Sequence, residues 1–334
     1  MRELTVVGAG AIGGTIAAYL AREGMPVRVV DANAEHVAAI RTDGLRIGTA
    51  QDEWRVDIPA DTLESYHGEL GEVFLAVKAP HTAAAIDWIG PRLARDGWVM
   101  SAQNGLNERE IAQAIGEERT VGCFINFFAD VLKPGLIHYG GPGAFVVGEL
   151  DGRVSARVEE IGGWIRPFIP PIVTPNIWGY LWSKLAYGAV LFATATTDET
   201  MADCVDHPTY RPMLRRLGLE VVGLAQLQQI ELMPFDGWDP NTLYDDKPSD
   251  AMFDGVSRMM RGNTKVRRGV WRDLAVHHRK TEVDAQYGPV LAVADTHGYV
   301  MPMLRTLVDL VHDLEAGRIS RGLHNLDVLV EAGR

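Results

Sequence analysis

The sequence of 334 residues predicts an α/β protein, with a doubly wound sheet in its N-terminal part and an all-helical C-terminal part. Two observations lead to this fold class. The first hundred residues alternate short β-branched runs with amphipathic stretches, which is the pattern of a parallel sheet covered by helices. After Pro175, long helical stretches follow one another instead. Because the chain is also longer than most single domains, we expect one domain over residues 1–173 and a second over residues 174–334.

Individual elements can be placed from hydrophobic periodicity and from the residues that interrupt it. Leu4–Val7 and Val27–Val30 are separated by an amphipathic helix that Gly24 ends, so they predict one βαβ unit. Further strands are expected at 73–77, 98–101 and 120–124, followed by a hairpin-like region at 135–148. Helices are expected at 178–196, 211–230, 272–287, 289–297 and 302–315.

A polar segment at 233–268 contains three prolines, several glycines and many aspartates, which indicates a loop or broken helices. Two interpretations remain open for it. The segment is either a lid over a binding site or a surface excursion without a function of its own.

Composition and charge narrow the classes of function. Hydrophobic residues make up 47% of the chain, and the formal net charge of −12 argues against a nucleic-acid partner, whose binding depends on neutralised phosphates. Cys123 and Cys204 are too few for a disulfide framework and lack metal-ligand spacing, so we expect reduced thiols, no metal site and a cytoplasmic protein. No signal core follows Met1, and Lys184 interrupts the apolar stretch 177–196, which favours a buried helix over a membrane span.

A glycine-rich turn, Gly8-Ala9-Gly10-Ala11-Ile12-Gly13, directly follows the first strand and opens a helix. This context makes the pattern specific for a Rossmann-type dinucleotide-binding turn. Gly8 permits the tight turn, Gly10 lets the backbone approach a pyrophosphate, and Gly13 lets the helix and strand pack closely. Ala11 and Ile12 stand at the start of the helix, where N–H groups can bind phosphate. The turn therefore predicts a bound dinucleotide.

Asp31 stands at the end of the second strand, 18 residues after Gly13. A carboxylate at this point can accept hydrogen bonds from both ribose hydroxyls and repels a 2′-phosphate, so we expect NAD(H) in preference to NADP(H). The alternative is a structural role, in which Asp31 caps a helix that begins near Glu35.

Six motifs, in order along the chain, resemble those of one family. They are Gly8-Ala9-Gly10-Ala11-Ile12-Gly13-Gly14, Ala76-Val77-Lys78, Gln103-Asn104-Gly105-Leu106, Pro134-Gly135-Leu136-Ile137-His138, Trp182-Ser183-Lys184-Leu185 and Arg279-Lys280-Thr281-Glu282-Val283-Asp284. By these motifs the chain resembles the ketopantoate reductases (2-dehydropantoate 2-reductases). The resemblance implies a Rossmann-type domain, a helical domain similar to that of 6-phosphogluconate dehydrogenase, hydride transfer to a 2-oxo carbon in the cleft between them, and a homodimer.

The resemblance also implies roles for four polar residues. Lys184 would be the general acid and the substrate anchor, and Glu282 would orient this lysine or a substrate hydroxyl. Asn104 would lie between the nicotinamide and the substrate, and Lys78 would lie on the cofactor side of the cleft.

The local sequence supports Lys184 independently, because it is the only formally charged residue between Asn176 and Thr197. Desolvation lowers the pKa of a lysine, which suits a proton donor that works near neutrality. The alternative is a lysine that extends along an apolar surface to reach solvent.

Structural alternatives exist for Glu282 and Asn104 as well. Glu282 could form a solvated ion pair with Arg279 or His278 on a helix face. Asn104 could serve only the turn that Gly105 permits, although the strand before it should end at the ligand-binding edge of the sheet.

The resemblance breaks at the substrate contacts. Where the family places asparagines one and two helical turns after the lysine, this chain has Gly188 and Phe192, and Arg268-Gly269-Val270-Trp271-Arg272 replaces a serine-containing segment. Glycine and phenylalanine offer space and apolar surface in place of hydrogen bonds. We therefore expect a bulkier or more apolar acid to be as suitable as ketopantoate, with Arg268 or Arg272 as a candidate carboxylate clamp.

His277 and His278 are adjacent, so on a helix they point in different directions and do not form a metal pair. His278 could instead face the cleft together with Glu282. Trp182, Trp271 and Phe192 are expected in the core or in a pocket wall.

Together these features predict an NAD(H)-dependent oxidoreductase that transfers hydride between nicotinamide and a 2-oxo or hydroxy acid, with its physiological direction open. Two alternatives remain. One is an imine reductase of the opine dehydrogenase kind, and the other is a dinucleotide-binding sensor without turnover.

Overall fold

The computed structural model describes residues 2–244, 250–262 and 269–334. These residues form two compact units, of which the first ends at Ile177 and the second begins at Trp178. The strands lie in the first unit, and the second is built from helices. The predicted fold class, a parallel α/β sheet followed by a helical part, is confirmed.

The strands of the first unit were only partly anticipated from the sequence. β3 and β4 were not predicted, whereas β1 and β2 have the predicted bounds. The strands are β1 (Leu4–Val7), β2 (Val27–Val30), β3 (Leu45–Gly48), β4 (Glu53–Val56), β5 (Ala60–Asp61), β6 (Leu70–Leu75), β7 (Leu93–Ser101), β8 (Thr120–Ile125), β9 (Ala129–Lys133), β10 (Leu136–Tyr139), β11 (Phe145–Glu149) and β12 (Pro171–Val173).

The larger sheet has the strand order β5-β2-β1-β6-β7-β8-β11-β12. Strand β1 pairs in parallel with β2 on one side and with β6 on the other, so the winding of the chain reverses at β1. Only the pairing of β8 with β11 is antiparallel in this sheet, as far as the described residues show. Ligands of doubly wound folds bind beyond the carboxyl ends of the strands at such a switch point.

Helices cover both faces of this sheet because successive strand residues point to opposite sides. Val6 and Phe74 belong to one core cluster, and their neighbours Val7 and Leu75 to the other. Buried side chains of α1, α2 and α5 complete the first cluster, and those of α3 and α4 the second. The helices are α1 (Ala11–Arg22), α2 (Ala34–Asp43), α3 (Thr82–Ile89), α4 (Asn107–Ile115) and α5 (Ala156–Ile165).

A smaller sheet of four strands has the order β4-β3-β10-β9. The expected hairpin over 135–148 is wrong, because β10 pairs with β9 and β3, whereas β11 joins the larger sheet. The actual hairpin is β9–β10. Gly135, at φ of +72°, permits its tight turn, and the glycine-rich residues 140–143 then carry the chain to the other sheet.

The helical unit begins with a long, mostly buried helix, as the sequence predicted for the stretch 177–196. Among the described residues, no helix combines the length and apolarity that a membrane span requires. The helices are α6 (Ile177–Ala195), α7 (Met201–Asp206), α8 (Tyr210–Leu227), α9 (Asp250–Gly262), α10 (Gly269–Ala275), α11 (Val283–Thr296), α12 (Pro302–Glu315) and α13 (His324–Ala332).

The expected helix over 272–287 is wrong, because α10 ends at Ala275 and a loop leads to α11. His278 adopts a positive φ of 46° in this loop, and Thr281 Oγ1 accepts the Val283 N–H at 3.2 Å where α11 begins. Helix α11 then continues through Pro289. A proline in a helix removes one backbone hydrogen bond, and the side chain of the neighbouring Val290 is fully buried.

The described part of the polar segment 233–268 contains a docked helix, α9. Phe253 is fully buried, and the Arg261 guanidinium lies 2.9 Å from Asp203 and 2.8 Å from Asp206 of α7. Ser257 Oγ also donates to Asp206 at 2.8 Å. This anchored helix gives no support to the interpretation of the segment as a lid.

Candidate active site

The glycine turn connects β1 to α1 at the switch point of the larger sheet. Gly8 has φ of +95°, and a Cβ at this position would lie 2.7 Å from the backbone nitrogen of Val77. A Cβ on Gly13 would lie 2.0 Å from the Gly8 carbonyl oxygen. Both contacts exclude any side chain, so they explain the first and last glycines of the motif.

The outer side of the turn is open. No atom lies within 4 Å of an ideal Cβ on Gly10. Ala11 and Ile12 form the first turn of α1, where backbone N–H groups lack partners within the helix. An open backbone face beside a helix N-terminus matches the shape and charge of a pyrophosphate, so these residues fit the predicted dinucleotide.

Asp31 is partly buried at the end of β2, and backbone groups hold both of its carboxylate oxygens. Oδ2 accepts the Ala9 N–H at 2.7 Å, and Oδ1 accepts the Asn33 N–H at 2.8 Å. Asn33, and not Asp31, caps α2, because its side chain accepts the His36 N–H. The alternative interpretation of Asp31 as the helix cap is therefore wrong. Each carboxylate oxygen can still accept a further hydrogen bond.

A second carboxylate supports the strand end that carries Asp31. The backbone N–H of Asp31 donates to the Asp61 carbonyl at 3.0 Å, and the Asp61 carboxylate pairs with Arg28 at 2.5 Å and Arg41 at 2.6 Å. Burial alone would raise the pKa of Asp61, but the hydrogen bonds from these arginines hold it below its ordinary value. Both guanidinium groups are thus engaged by a carboxylate.

Lys78 and Asn104 lie beyond the carboxyl ends of β6 and β7, which are neighbouring parallel strands. Both residues are exposed. Gly105, at φ of +106°, follows Asn104 in a turn, so the turn and the position at the ligand-binding edge are both present. The fold therefore brings these two residues to one edge of the sheet, as the doubly wound topology predicts.

A buried polar network under these two loops was not anticipated from the sequence. Gln103 Nε2 donates to the Val77 carbonyl at 3.0 Å and to Thr82 Oγ1 at 2.8 Å. Asn107 Nδ2 donates to the Asn104 carbonyl at 2.7 Å. These bonds tie the loop after β6 to the loop after β7. Gln103 stands in a recognised motif, but its partners are distant in sequence and leave no local pattern.

Helix α6 is buried on nearly all sides. Between residues 179 and 195, all of which the structure describes, only Lys184, Gly188 and Leu191 are partly exposed. Their spacing of four and then three residues places them on one narrow face of the helix. Lys184 thus supplies the single charge of an accessible stripe, which we call the α6 stripe, on an otherwise apolar helix.

Glu282 is the N-terminal flanking residue of α11 and is partly buried. The alternative of an ion pair on a helix face is wrong, because His278 and Arg279 both lie in the loop before α11, where Arg279 Nε donates to Asp273 at 2.8 Å. Thr281 donates to Glu315 of α12 from both its backbone N–H and its hydroxyl, at 2.7 Å each. The backbone that carries Glu282 is therefore anchored on α12.

Tyr287 of α11 fills the space beside Gly188. Its hydroxyl donates to the Leu185 carbonyl at 3.0 Å, and an ideal Cβ on Gly188 would lie 2.8 Å from Tyr287 Oη. Phe192 is 1% exposed and packs edge-on against Tyr287, with ring centroids 5.6 Å apart. The expectation that Gly188 leaves open space is wrong, whereas Phe192 lies in the core, which is one of the two places expected for it. Burial also raises the pKa of Tyr287 well above its ordinary value, so the phenol stays neutral.

The two histidines, His277 and His278, are exposed and lie in the loop between α10 and α11, not on a helix as expected. In the part of the chain that the structure describes, no group of three His, Cys, Asp or Glu side chains is arranged to hold a metal ion. Cys123 and Cys204 are both buried, and neither takes part in a disulfide bond.

The remaining residues singled out in the sequence are two tryptophans and two arginines. Trp182 is fully buried, as expected, and Trp271 Nε1 donates to the Thr197 carbonyl at 3.1 Å. Arg272 is partly buried in α10. Arg268 lies outside the described residues.

Comparison with known proteins extends over both units. Residues 4–152 match the model of ketopantoate reductase PanE/ApbA, and residues 176–315 match the model of its C-terminal part. The chain belongs to the ketopantoate reductase family. The resemblance inferred from the six motifs is thereby confirmed.

Relatives of this family match most of the chain. A 2-dehydropantoate 2-reductase of Mesorhizobium japonicum is 29% identical over 250 residues, which are 67% of this chain and 76% of the relative. The 2-dehydropantoate 2-reductase of Halobacterium salinarum is 25% identical over 313 residues, covering 92% of this chain and 97% of the relative. The chain is accordingly an NAD(P)-dependent oxidoreductase that acts on a CH–OH group, and the imine reductase and sensor alternatives lose their support.

Solved structures confirm the fold. D-mandelate dehydrogenase, solved with NADH and anilino(oxo)acetate, aligns with a TM-score of 0.83 at 21% identity, covering 95% of this chain and 99% of that one. A ketopantoate reductase from Ralstonia eutropha aligns with a TM-score of 0.79 at 21% identity and the same coverage.

The contact between Gly188 and Tyr287 can be tested by a double-mutant cycle. Gly188→Ala should lower the free energy of unfolding by about 1–2 kcal/mol, because overpacking against the phenol outweighs the better helix propensity of alanine. Tyr287→Phe should lower it by about 1 kcal/mol through the lost hydrogen bond. The double variant should lose less than the sum, as measured by urea unfolding.

Gly163→Ala is the matched control. Gly163 is exposed in α5, and no atom lies within 4 Å of its ideal Cβ, so the same exchange should raise stability by about 0.5–1 kcal/mol. Strict additivity of the two substitutions at 188 and 287 would contradict the contact.

Proposed function

We propose that this enzyme is NAD(H)-dependent and interconverts a 2-oxo acid and the corresponding 2-hydroxy acid, with ketopantoate or a more apolar analogue as its substrate. The observation that carries the proposal is Lys184. It is the one charged side chain on the accessible stripe of a buried helix, in a family that the sequence motifs assign to reduction of a 2-oxo carbon.

In the proposed reaction, a bound nicotinamide dinucleotide supplies the hydride that is added to the 2-oxo carbon. The ammonium group of Lys184 donates a hydrogen bond to the substrate carbonyl oxygen and transfers its proton as the oxygen becomes a hydroxyl. Lys184 is left neutral and regains a proton from solvent. Glu282 orients the lysine or the new hydroxyl. In the reverse direction Lys184 takes up the proton of the alcohol.

The proposed preference for NAD(H) rests on the carboxylate of Asp31 at the end of β2. Its two backbone hydrogen bonds fix the position of this carboxylate. Arg28 and Arg41 are paired with Asp61, so a carboxylate already balances part of their positive charge. The negative charge of Asp31 therefore favours the ribose hydroxyls of NAD(H) over the 2′-phosphate of NADP(H).

We expect Asp31→Asn to shift the preference between cofactors. The wild-type enzyme should use NADH with a kcat/KM at least tenfold above that for NADPH, and the variant should narrow this ratio by about tenfold because the repulsive charge is gone. Asp43→Asn, an exposed position at the end of α2, is the control and should leave the ratio unchanged. A wild-type enzyme that favours NADPH would refute the preference.

The proposed substrate class rests on the composition of the α6 stripe. Apart from Lys184, the stripe presents Leu191 and the backbone of Gly188, and Tyr287 occupies the volume that a side chain at 188 would take. D-mandelate dehydrogenase, whose fold this chain shares, was solved with anilino(oxo)acetate, which carries an aromatic substituent. This ligand supports an apolar substituent on the substrate of this enzyme.

Kinetic comparison of two acids tests this class. With NADH, phenylglyoxylate should have a kcat/KM at least equal to that of ketopantoate, because apolar surface replaces the hydrogen bonds that the family makes to the ketopantoate hydroxyl. Both reactions are followed by the loss of nicotinamide absorbance. A preference for ketopantoate of more than tenfold would contradict the apolar site.

Substitution of Lys184 tests the mechanism. Lys184→Ala should lower kcat by about 10²–10⁴-fold while leaving the Kd for NADH nearly unchanged. Lys184→Arg keeps the charge but gives up its proton far less readily, so it should restore substrate binding more than turnover. Lys133→Ala, an exposed lysine of β9, is the control. Wild-type turnover in the alanine variant would remove the mechanism.

A homodimer is proposed for this chain as well. The support is a ketopantoate reductase from Staphylococcus aureus that is described as dimeric and aligns with a TM-score of 0.73.

A further inference from the structure

The buried ring of His36 links three separate segments of the first unit. Its Nε2 lies 2.9 Å from the Ala9 carbonyl oxygen in the glycine turn, and its Nδ1 lies 3.1 Å from the backbone nitrogen of Gly135. The residue is 4% exposed. The ring therefore connects α2, the glycine turn and the tight turn of the β9–β10 hairpin.

The two backbone partners determine where the ring carries its proton. The Gly135 N–H can only donate, so Nδ1 of His36 must hold a lone pair. The Ala9 carbonyl can only accept, so Nε2 must carry the hydrogen. Together these partners require the neutral Nε2–H tautomer, in which both ring nitrogens are satisfied without any contact to water.

Ala9 is held from both sides by this arrangement. Its N–H donates to Asp31 at 2.7 Å, and its carbonyl accepts from His36 at 2.9 Å. The peptide groups before and after Ala9 are thereby fixed, and they are the backbone of the turn from Gly8 to Gly10. A loop that is ordered in advance loses less conformational entropy when it binds a ligand.

Gly135, which contacts the other nitrogen of the His36 ring, is held in place as well. Its carbonyl accepts the Arg46 N–H at 2.9 Å, and its own φ is +72°. An ideal Cβ on Gly135 would lie 3.1 Å from the Cβ of Ala39 in α2. The hairpin turn is thus a close-packed backing on which the His36 ring rests.

We propose that His36 is a positioning residue for the dinucleotide. The neutral ring, supported by Gly135, holds the Ala9 carbonyl and keeps the glycine turn in the conformation that receives the pyrophosphate. This inference rests on the proposed NAD(H) site at the same turn. Because His36 acts through the turn, its loss should weaken cofactor binding and leave the acid site unaffected.

Two substitutions separate the two hydrogen bonds of the ring. His36→Gln places an amide nitrogen near the former Nε2 and keeps a donor for Ala9. His36→Asn places an amide oxygen near the former Nδ1, so it keeps the acceptor for Gly135 and loses the donor for Ala9. We expect the asparagine variant to bind NADH about tenfold more weakly than the wild type, and the glutamine variant to stay within about threefold. Calorimetric titration of the full chain with NADH measures both values.

Steady-state kinetics supply the second measurement. The KM for NADH should rise in His36→Asn, and the KM for the acid should not. Val37→Ala is the matched control, because Val37 lies in the same helix, is 1% exposed and makes only packing contacts with its side chain. This control should lower the melting temperature without weakening NADH binding.

Each outcome decides the proposal. NADH binding in His36→Asn that equals that of the wild type, or an equal weakening in Val37→Ala, overturns the positioning role while leaving the proposed function intact. A wild-type chain that does not bind NADH overturns the proposed function, and the role of His36 with it.

The tautomer can be observed without any substitution. In the wild-type chain labelled with ¹⁵N-histidine, the His36 resonances should show a protonated Nε2 and an unprotonated Nδ1. A proton on Nδ1 would be incompatible with the Gly135 contact and would overturn the proposal.

Discussion

The close approach of the glycine turn to its surroundings is the constraint on which the first unit depends. Neither Gly8 nor Gly13 has room for a single side-chain carbon, as their contacts with Val77 and with each other show. Helix α1 can therefore start directly at the end of β1, while β1 pairs with β2 and β6 on its two sides. The strand ends that carry Asp31 and Val77 meet at one edge for this reason.

Local patterns were sufficient to predict the elements that depend on local contacts. The first strand, its helix and the second strand follow from alternating and helical periodicity within 31 residues. The smaller sheet could not be predicted in this way, because β3 pairs with β10, which follows about ninety positions later, and β4 alternates only between exposed and partly exposed residues. The misplaced hairpin has the same origin, since sequence proximity alone favoured pairing β10 with β11.

In the candidate site as well, the residues recognised from local sequence differ from those that depend on distant contacts. Gly8, Asp31 and Lys184 were recognisable because their types and positions are characteristic in themselves. The groups that hold the site were not, because each bond joins distant positions: His36 to Gly135, 99 residues apart, and Tyr287 to Leu185, 102 residues apart. Gly188 was misinterpreted as a void for that reason, since the residue that fills it comes from another helix.

The α6 stripe has a consequence for how such an enzyme can diversify. Lys184 is committed to chemistry in the proposed mechanism, position 188 is closed by Tyr287, and Phe192 belongs to the core. Leu191 is the only remaining side chain of the stripe, and it borders solvent on one side, so its replacement does not create a sealed cavity. In the proposed site, substitution of Leu191 alone would therefore change the surface that this helix offers to an acid substrate. The folding stability of the helical unit would stay largely the same.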